Sequence, residues 1–183
     1  VADNAKKMSE GLEKAEKSMS EAEKRMQERR EKGDTTAMPY KELQEFLPGS
    51  IAGYSEPKLS GEQMSMGNFS MSNAEAVYKK EDGKGEINIK IVDYLENYGM
   101  YQGFLAAFGN YSRENDDGFE RSFDPGYEHV WAREKYNNKN NRAEVSMGVG
   151  YRFMIEMKQR DAEGTDMLKD IMEQMPIKKM ANM

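Results

Sequence analysis

The chain has 183 residues, a length suited to one domain with an appendage. Its 33 acidic and 27 basic side chains leave a net charge of −6, so the balance does not favour a phosphate-binding surface, and no nucleic-acid partner is expected. Zero Cys and a single His exclude a disulfide framework, a thiolate metal site and a cysteine nucleophile, and no apolar run of about 18 residues exists to span a membrane as a helix.

Residues 1–34 carry equal numbers of acids and bases and no aromatic residue, whereas residues 37–183 hold every aromatic side chain and the whole net charge. A segment of that composition cannot bury a core of its own, which predicts a boundary near Gly33–Thr36. Ala5, Met8, Leu12, Ala15, Met19, Ala22 and Met26 follow a 3,4 spacing, and Glu13–Lys17 and Glu21–Arg25 are i,i+4 pairs with the acid leading. The segment therefore reads as one long charged helix stopped at Gly33. It would serve either as a solvated tether or as a thin coiled-coil seam giving weak homo-oligomers through residues 5–26.

In the domain, Tyr40 to Leu47 reads as a short helix between Pro39 and Pro48, with Leu43, Phe46 and Leu47 inward. Lys58 to Tyr78 reads as one or two strands, the better from Phe69 to Lys80, and Glu86 to Val92 alternates as its hairpin partner. Tyr98 to Phe108 has helical spacing. Four further strands are predicted at Gly118–Phe123, Tyr127–Tyr136, Arg142–Val149 and Tyr151–Lys158, with a tight reversal at Gly148–Gly150. Thr165 would N-cap a last helix running through Met175, ended by Pro176. The sum is an α+β sandwich, one antiparallel sheet of about six strands covered by helices and preceded by the charged helix.

Few constellations carry chemistry. Asn115, Asp116, Asp117 and Glu120 form an oxygen-rich loop suited to a hard cation, but their spacing misses the EF-hand pattern and they also read as a polar turn. Tyr98, Tyr101 and Tyr111 could floor a small-ligand pocket or pack the middle helix on the sheet. His129, expected on a strand in phase with Tyr127, Trp131 and Arg133, reads as a structural histidine. Phe119, Arg121 and Phe123 share one strand face, which fits core packing of the two rings better than base stacking. Gly83-Lys84-Gly85 lacks the helix that a phosphate loop needs. Met64-Ser65-Met66 and Met180–Met183 have spacings that soft Cu(I) uses, although core filling in place of Leu is the favoured reading of the 16 methionines. No cofactor is implied.

Leu47-Pro48 leading to Gly53 and Tyr54, Ile89–Asp93, Gly118–Arg121, Glu134–Tyr136, Ala143–Ser146, Gly150–Phe153 and Asp166–Lys169 together resemble a family of uncharacterised bacterial envelope proteins, often lipoproteins. The resemblance covers about residues 40–177. It implies a location in the cell envelope, behind a signal peptide, often a lipidated Cys, and a polar tether. The chain begins at Val1 with neither, as a trimmed or mature form would, with residues 1–34 as the tether and a lost lipid anchor as its only membrane contact. The family brings no activity and no site residues. The expected role is thus a non-enzymatic envelope domain binding a protein or small ligand; a ligand- or metal-binding lipoprotein is second, and a carboxylate hydrolase third.

Overall fold

The computed structural model describes residues 2–67, 69–95 and 111–183. Contacts divide the chain into two compact units, residues 1–35 and 36–183. The first is a single helix, α1 (Ala2–Glu31). Its end is a Schellman turn: Asp34 N–H donates to Arg29 O at 2.9 Å and Gly33 N–H to Arg30 O at 3.0 Å. Gly33 sits there at φ +76°, a conformation that costs a residue with a Cβ.

The second unit is an α+β domain built on one antiparallel sheet. Its elements are α2 (Tyr40–Gln44), β1 (Lys58–Met66), β2 (Phe69–Lys79), β3 (Glu86–Asp93), β4 (Ser112–Asn115), β5 (Gly118–Phe123), β6 (Val130–Asn137), β7 (Arg142–Val149), β8 (Phe153–Arg160), α3 (Asp166–Gln174) and α4 (Ile177–Ala181). The strand order is β1-β2-β3-β8-β7-β6-β5-β4. Among the described residues the sheet has eight strands, not about six. Two meanders, β1–β3 and β4–β8, meet where β3 pairs with β8. β3 stands third in that order and β4 at the far edge, five strand spacings or about 24 Å away.

The inner face is buried by period-two alternation. Ile87, Ile89 and Ile91 on β3, Val145 and Met147 on β7, and Phe153, Ile155 and Met157 on β8 are all fully buried. Leu43, Phe46 and Leu47 beside β1 and β2, and Leu168, Ile171, Met172, Ile177 and Met180 from α3 and α4, complete that core. On β2 the inner side chains are Ser70, Ser72, Ala74, Ala76 and Tyr78. They are small at one end because backbone lies directly on them: Ser70 Oγ accepts from Ala37 N–H at 2.9 Å, and Ser72 Oγ donates to Met38 O at 2.6 Å. The hydroxyls satisfy main-chain groups that have no ladder of their own. Tyr78 donates to Pro48 O at 2.5 Å, and burial pushes its phenol up to about 12.

The outer face is charged and ordered by sign. The register sets Arg113, Glu120, Lys135, Glu144 and Lys158 side by side across β4 to β8, each opposite the other charge.

Several expected boundaries move. β6 begins at Val130 rather than Tyr127 because His129 takes φ +59°, off the strand. The β7–β8 reversal falls at Gly150 and Tyr151, both near φ +60°, so Val149 ends a strand and β8 starts two residues late. Thr165 stands at the α3 N-cap, yet its hydroxyl makes no cap bond. Pro176 ends α3 but also opens α4, a helix that the sequence reading lacks. The helix expected at Tyr98–Phe108 lies outside the described residues.

Candidate functional site

Among the described residues, further polar assemblies interrupt the apolar layers at Asp93, Glu134 and Gln159. Asp93, fully buried at the end of β3, takes both arms of Arg152, Nε to Oδ1 at 2.9 Å and Nη2 to Oδ2 at 2.8 Å. Met38 N–H and Leu95 N–H donate to the same carboxylate at 2.8 and 2.9 Å. Four donors saturate it, so it serves as a clamp and has no lone pair left for chemistry.

Glu134, 2% exposed on the inner side of β6, receives Arg121 Nε at 2.7 Å, Lys169 Nζ at 2.9 Å and the Thr165 hydroxyl. Burial alone would raise its pKa. The hydrogen bonds from Thr165, Arg121 and Lys169, together with the Lys169 charge, outweigh burial and hold it below the ordinary carboxylate value. Burial likewise opposes the Lys169 ammonium, and Glu134 and Asp166 carry it above the usual lysine value. The N-terminus of α3 is thereby fixed to the sheet.

The third assembly is open. A cleft of about 490 Å³ is bounded by Gly53 and Tyr54, the end of β8, and the loop into α3. Ligand pockets commonly measure about 300–1,000 Å³. Gln159, 6% exposed, lines the cleft, and its Nε2 meets Tyr54 OH and Met167 Sδ at 3.4 Å, a long contact to the oxygen and an ordinary one to the weak sulfur acceptor. Its Oε1 is buried and accepts no bond from the protein. Exchanging the two ends of the amide would give the oxygen Tyr54 OH and strand the nitrogen instead, so either assignment leaves one end without a partner. Asp161, Glu163 and Asp166 edge the cleft beside one lining cation, Lys80, with Asp166 also paired to Lys169 at 3.3 Å. Lys80 already pairs with Asp82 at 3.6 Å, so the local field is negative.

The sequence-predicted residues fall elsewhere. Tyr98 and Tyr101 lie outside the described residues. Tyr111 is 41% exposed just before β4, bonded through its backbone to Ser122. Asn115, Asp116 and Asp117 form the β4–β5 turn, with Glu120 on the strand beyond. There Asp117 pairs with Lys139 at 2.8 Å and Glu120 with Arg133 at 3.1 Å, while Asn115 Oδ1 accepts Asp117 N–H. The adjoining β6–β7 turn grips this loop: Asn138 donates its backbone N–H to Asp117 O at 3.0 Å and its side-chain amide to Asp116 O at 2.8 Å. Among the described residues, no three His, Cys, Asp or Glu side chains gather as a metal site would require. His129 stands at a turn with its ring 5.7 Å from Tyr151. Phe123 packs on the core, whereas Phe119 meets Tyr136 at 6.1 Å and lies under the Arg121 guanidinium at 4.6 Å.

Gln159 escaped the sequence reading, although a signal existed. It continues the Phe153, Ile155, Met157 phase by one step, a polar residue at a core position, where only a partner or a ligand balances the lost hydration. No protein-family model, curated protein or solved structure matches the chain. The fold and site define an α+β domain with an acidic-rimmed cleft, and the functional reading rests on that geometry.

Proposed function

We propose that the domain is a non-enzymatic binding module of the cell envelope that takes a small organic cation bearing N–H groups, such as an alkylammonium. One observation carries the reading: a buried amide end without a partner, on Gln159, lining a cleft with three carboxylates and one lysine at its edge. The Gln159 amide is held by only two contacts, to Tyr54 and Met167, and an ammonium that reached its oxygen would satisfy it. The carboxylates outside would neutralise the ligand's charge without burying their own. Support for a binding rather than a catalytic role comes from Asp93 and Glu134, the deeply buried carboxylates, which are both engaged by cations. The envelope setting is supported only by the resemblance of residues 40–177. Among the described residues no helix is long and apolar enough to cross a membrane.

The test is a thermal-shift and calorimetric panel of mono- and diamines, with carboxylates and sugars as controls. Amines should raise the melting temperature. Gln159→Leu should abolish that shift while raising the ligand-free melting temperature, since the orphan amide leaves with it. A panel without any amine effect, or an effect retained in Gln159→Leu, would overturn the proposal.

A further inference from the structure

Among the described residues, the methionines range from fully buried to largely exposed. Met147, Met157 and Met180 are fully buried and fill the core, as expected of most of them. Met64 and Met66 do not: they are 47% and 76% exposed on β1. β1 is an edge strand whose even-numbered side chains point away from the core, since Ser65 Oγ meets Ser70 Oγ, and Gln63 reaches Ala37 O, on the inner side. Pairing of Met64 with Met71 and of Met66 with Phe69 then places Met64, Met66, Met71 and Phe69 on one outer corner of the sheet.

The geometry is firm because the hairpin is tight. Met66 pairs directly with Phe69, and Gly67 turns the chain at φ +60°. A short reversal fixes register, and a slip of one residue would put Ser70 and Ser72 on the wrong face. Directly paired residues have Cα atoms about 4.5–5.5 Å apart, and diagonal neighbours stand at about 7–8 Å. Met64 and Met71 are such a pair, Met66 lies two residues along the same face from Met64, and unbranched thioether arms close the remaining gap. Glu62 shares that face one step further on, a carboxylate able to balance a single positive charge.

We infer that Met64, Met66 and Met71 form a three-thioether site for a soft monovalent metal ion, Cu(I) or its redox-inert counterpart Ag(I). Neutral sulfur donors bind soft d¹⁰ ions and reject Zn²⁺, Ca²⁺ and Mg²⁺, which need harder or anionic ligands. Exposed thioethers forfeit burial energy that Leu in the core would have gained, and metal capture is a use for which exposure is required. The site is independent of the Gln159 cleft and lies on the opposite face of the sheet.

The experiment titrates the full chain with Ag⁺, following stoichiometry by native mass spectrometry and the methionine methyl resonances by NMR. One ion per chain should bind, moving the Met64, Met66 and Met71 methyl signals and leaving Met147, Met157 and Met180 in place. Met64→Leu, Met66→Leu and Met71→Leu conserve volume at a solvent-facing corner and should melt as the parent does. Each should weaken Ag⁺ binding at least tenfold, while Zn²⁺ binds none of the proteins at this corner. Parent-like Ag⁺ affinity in all three variants, or methyl shifts confined to other methionines, would overturn the assignment.

Discussion

At the scale of single residues, the protein is governed by a few side chains whose polarity disagrees with their position. Glu134 occupies a core phase on β6 and survives there because three donors surround it. Its depressed pKa means that the folded state binds this proton less readily than the unfolded chain. Its contribution is therefore complete above the ordinary Glu value of 4.5 and is lost as pH falls through the lower, folded value. Urea unfolding followed from pH 6 to pH 3 should show that loss, and Glu134→Gln should flatten it while removing about 2–3 kcal/mol at neutral pH. The sequence displayed this residue as an ordinary strand acid. Its partners Thr165 and Lys169 come from a helix 31 and 35 residues further on, a proximity that no local pattern encodes. For the same reason the phase of Gln159 on β8 is legible in the sequence and its missing partner is not.

At the scale of elements, periodicity worked where burial follows it. β7 has the limits that alternation implies, and β5 has its expected limits because it runs between turns rich in Asp, Asn and Gly. β4 was invisible: all four residues of Ser-Arg-Glu-Asn are exposed, so they carry no hydrophobic period. Its place is secured instead by the clasp between the Asn115–Gly118 and Asn137–Asn141 turns. Gly118 is the tightest point, at φ +137°, where an added Cβ would sit 2.0 Å from Tyr136 O. Gly118→Ala should therefore part β4 and β5 from β6, seen as rapid amide exchange across residues 112–123 with β7 and β8 still protected. Uniform protection in that variant would show the approach to be relaxable. The oxygen-rich composition that suggested a cation loop thus has an account in turn chemistry and cross-turn hydrogen bonds.

At the scale of the whole domain, an antiparallel sheet with helices was readable from strand spacing, but the strand order was not. Short turns specify neighbours within each meander, and nothing in the sequence announces that β3 must find β8. The Asp93–Arg152 pair lies at that junction and also holds Met38, so it ties both meanders to the segment above them. Arg152→Lys cannot reproduce the two-armed contact. It should cost about 3–5 kcal/mol in denaturant unfolding, as expected when a buried pair is broken. A loss below 1 kcal/mol would mean that a one-armed lysine contact and the backbone donors together satisfy Asp93.

The β3–β8 junction also sets a timetable for synthesis. Asp93 leaves the ribosome 60 residues ahead of Phe153, the residue it will face. Throughout that interval the first meander presents an unpaired edge along Ile87, Ile89 and Ile91. Chains truncated before Phe153 and released should therefore be the aggregation-prone, chaperone-bound species of this protein, and those truncated beyond Arg160 and released should not.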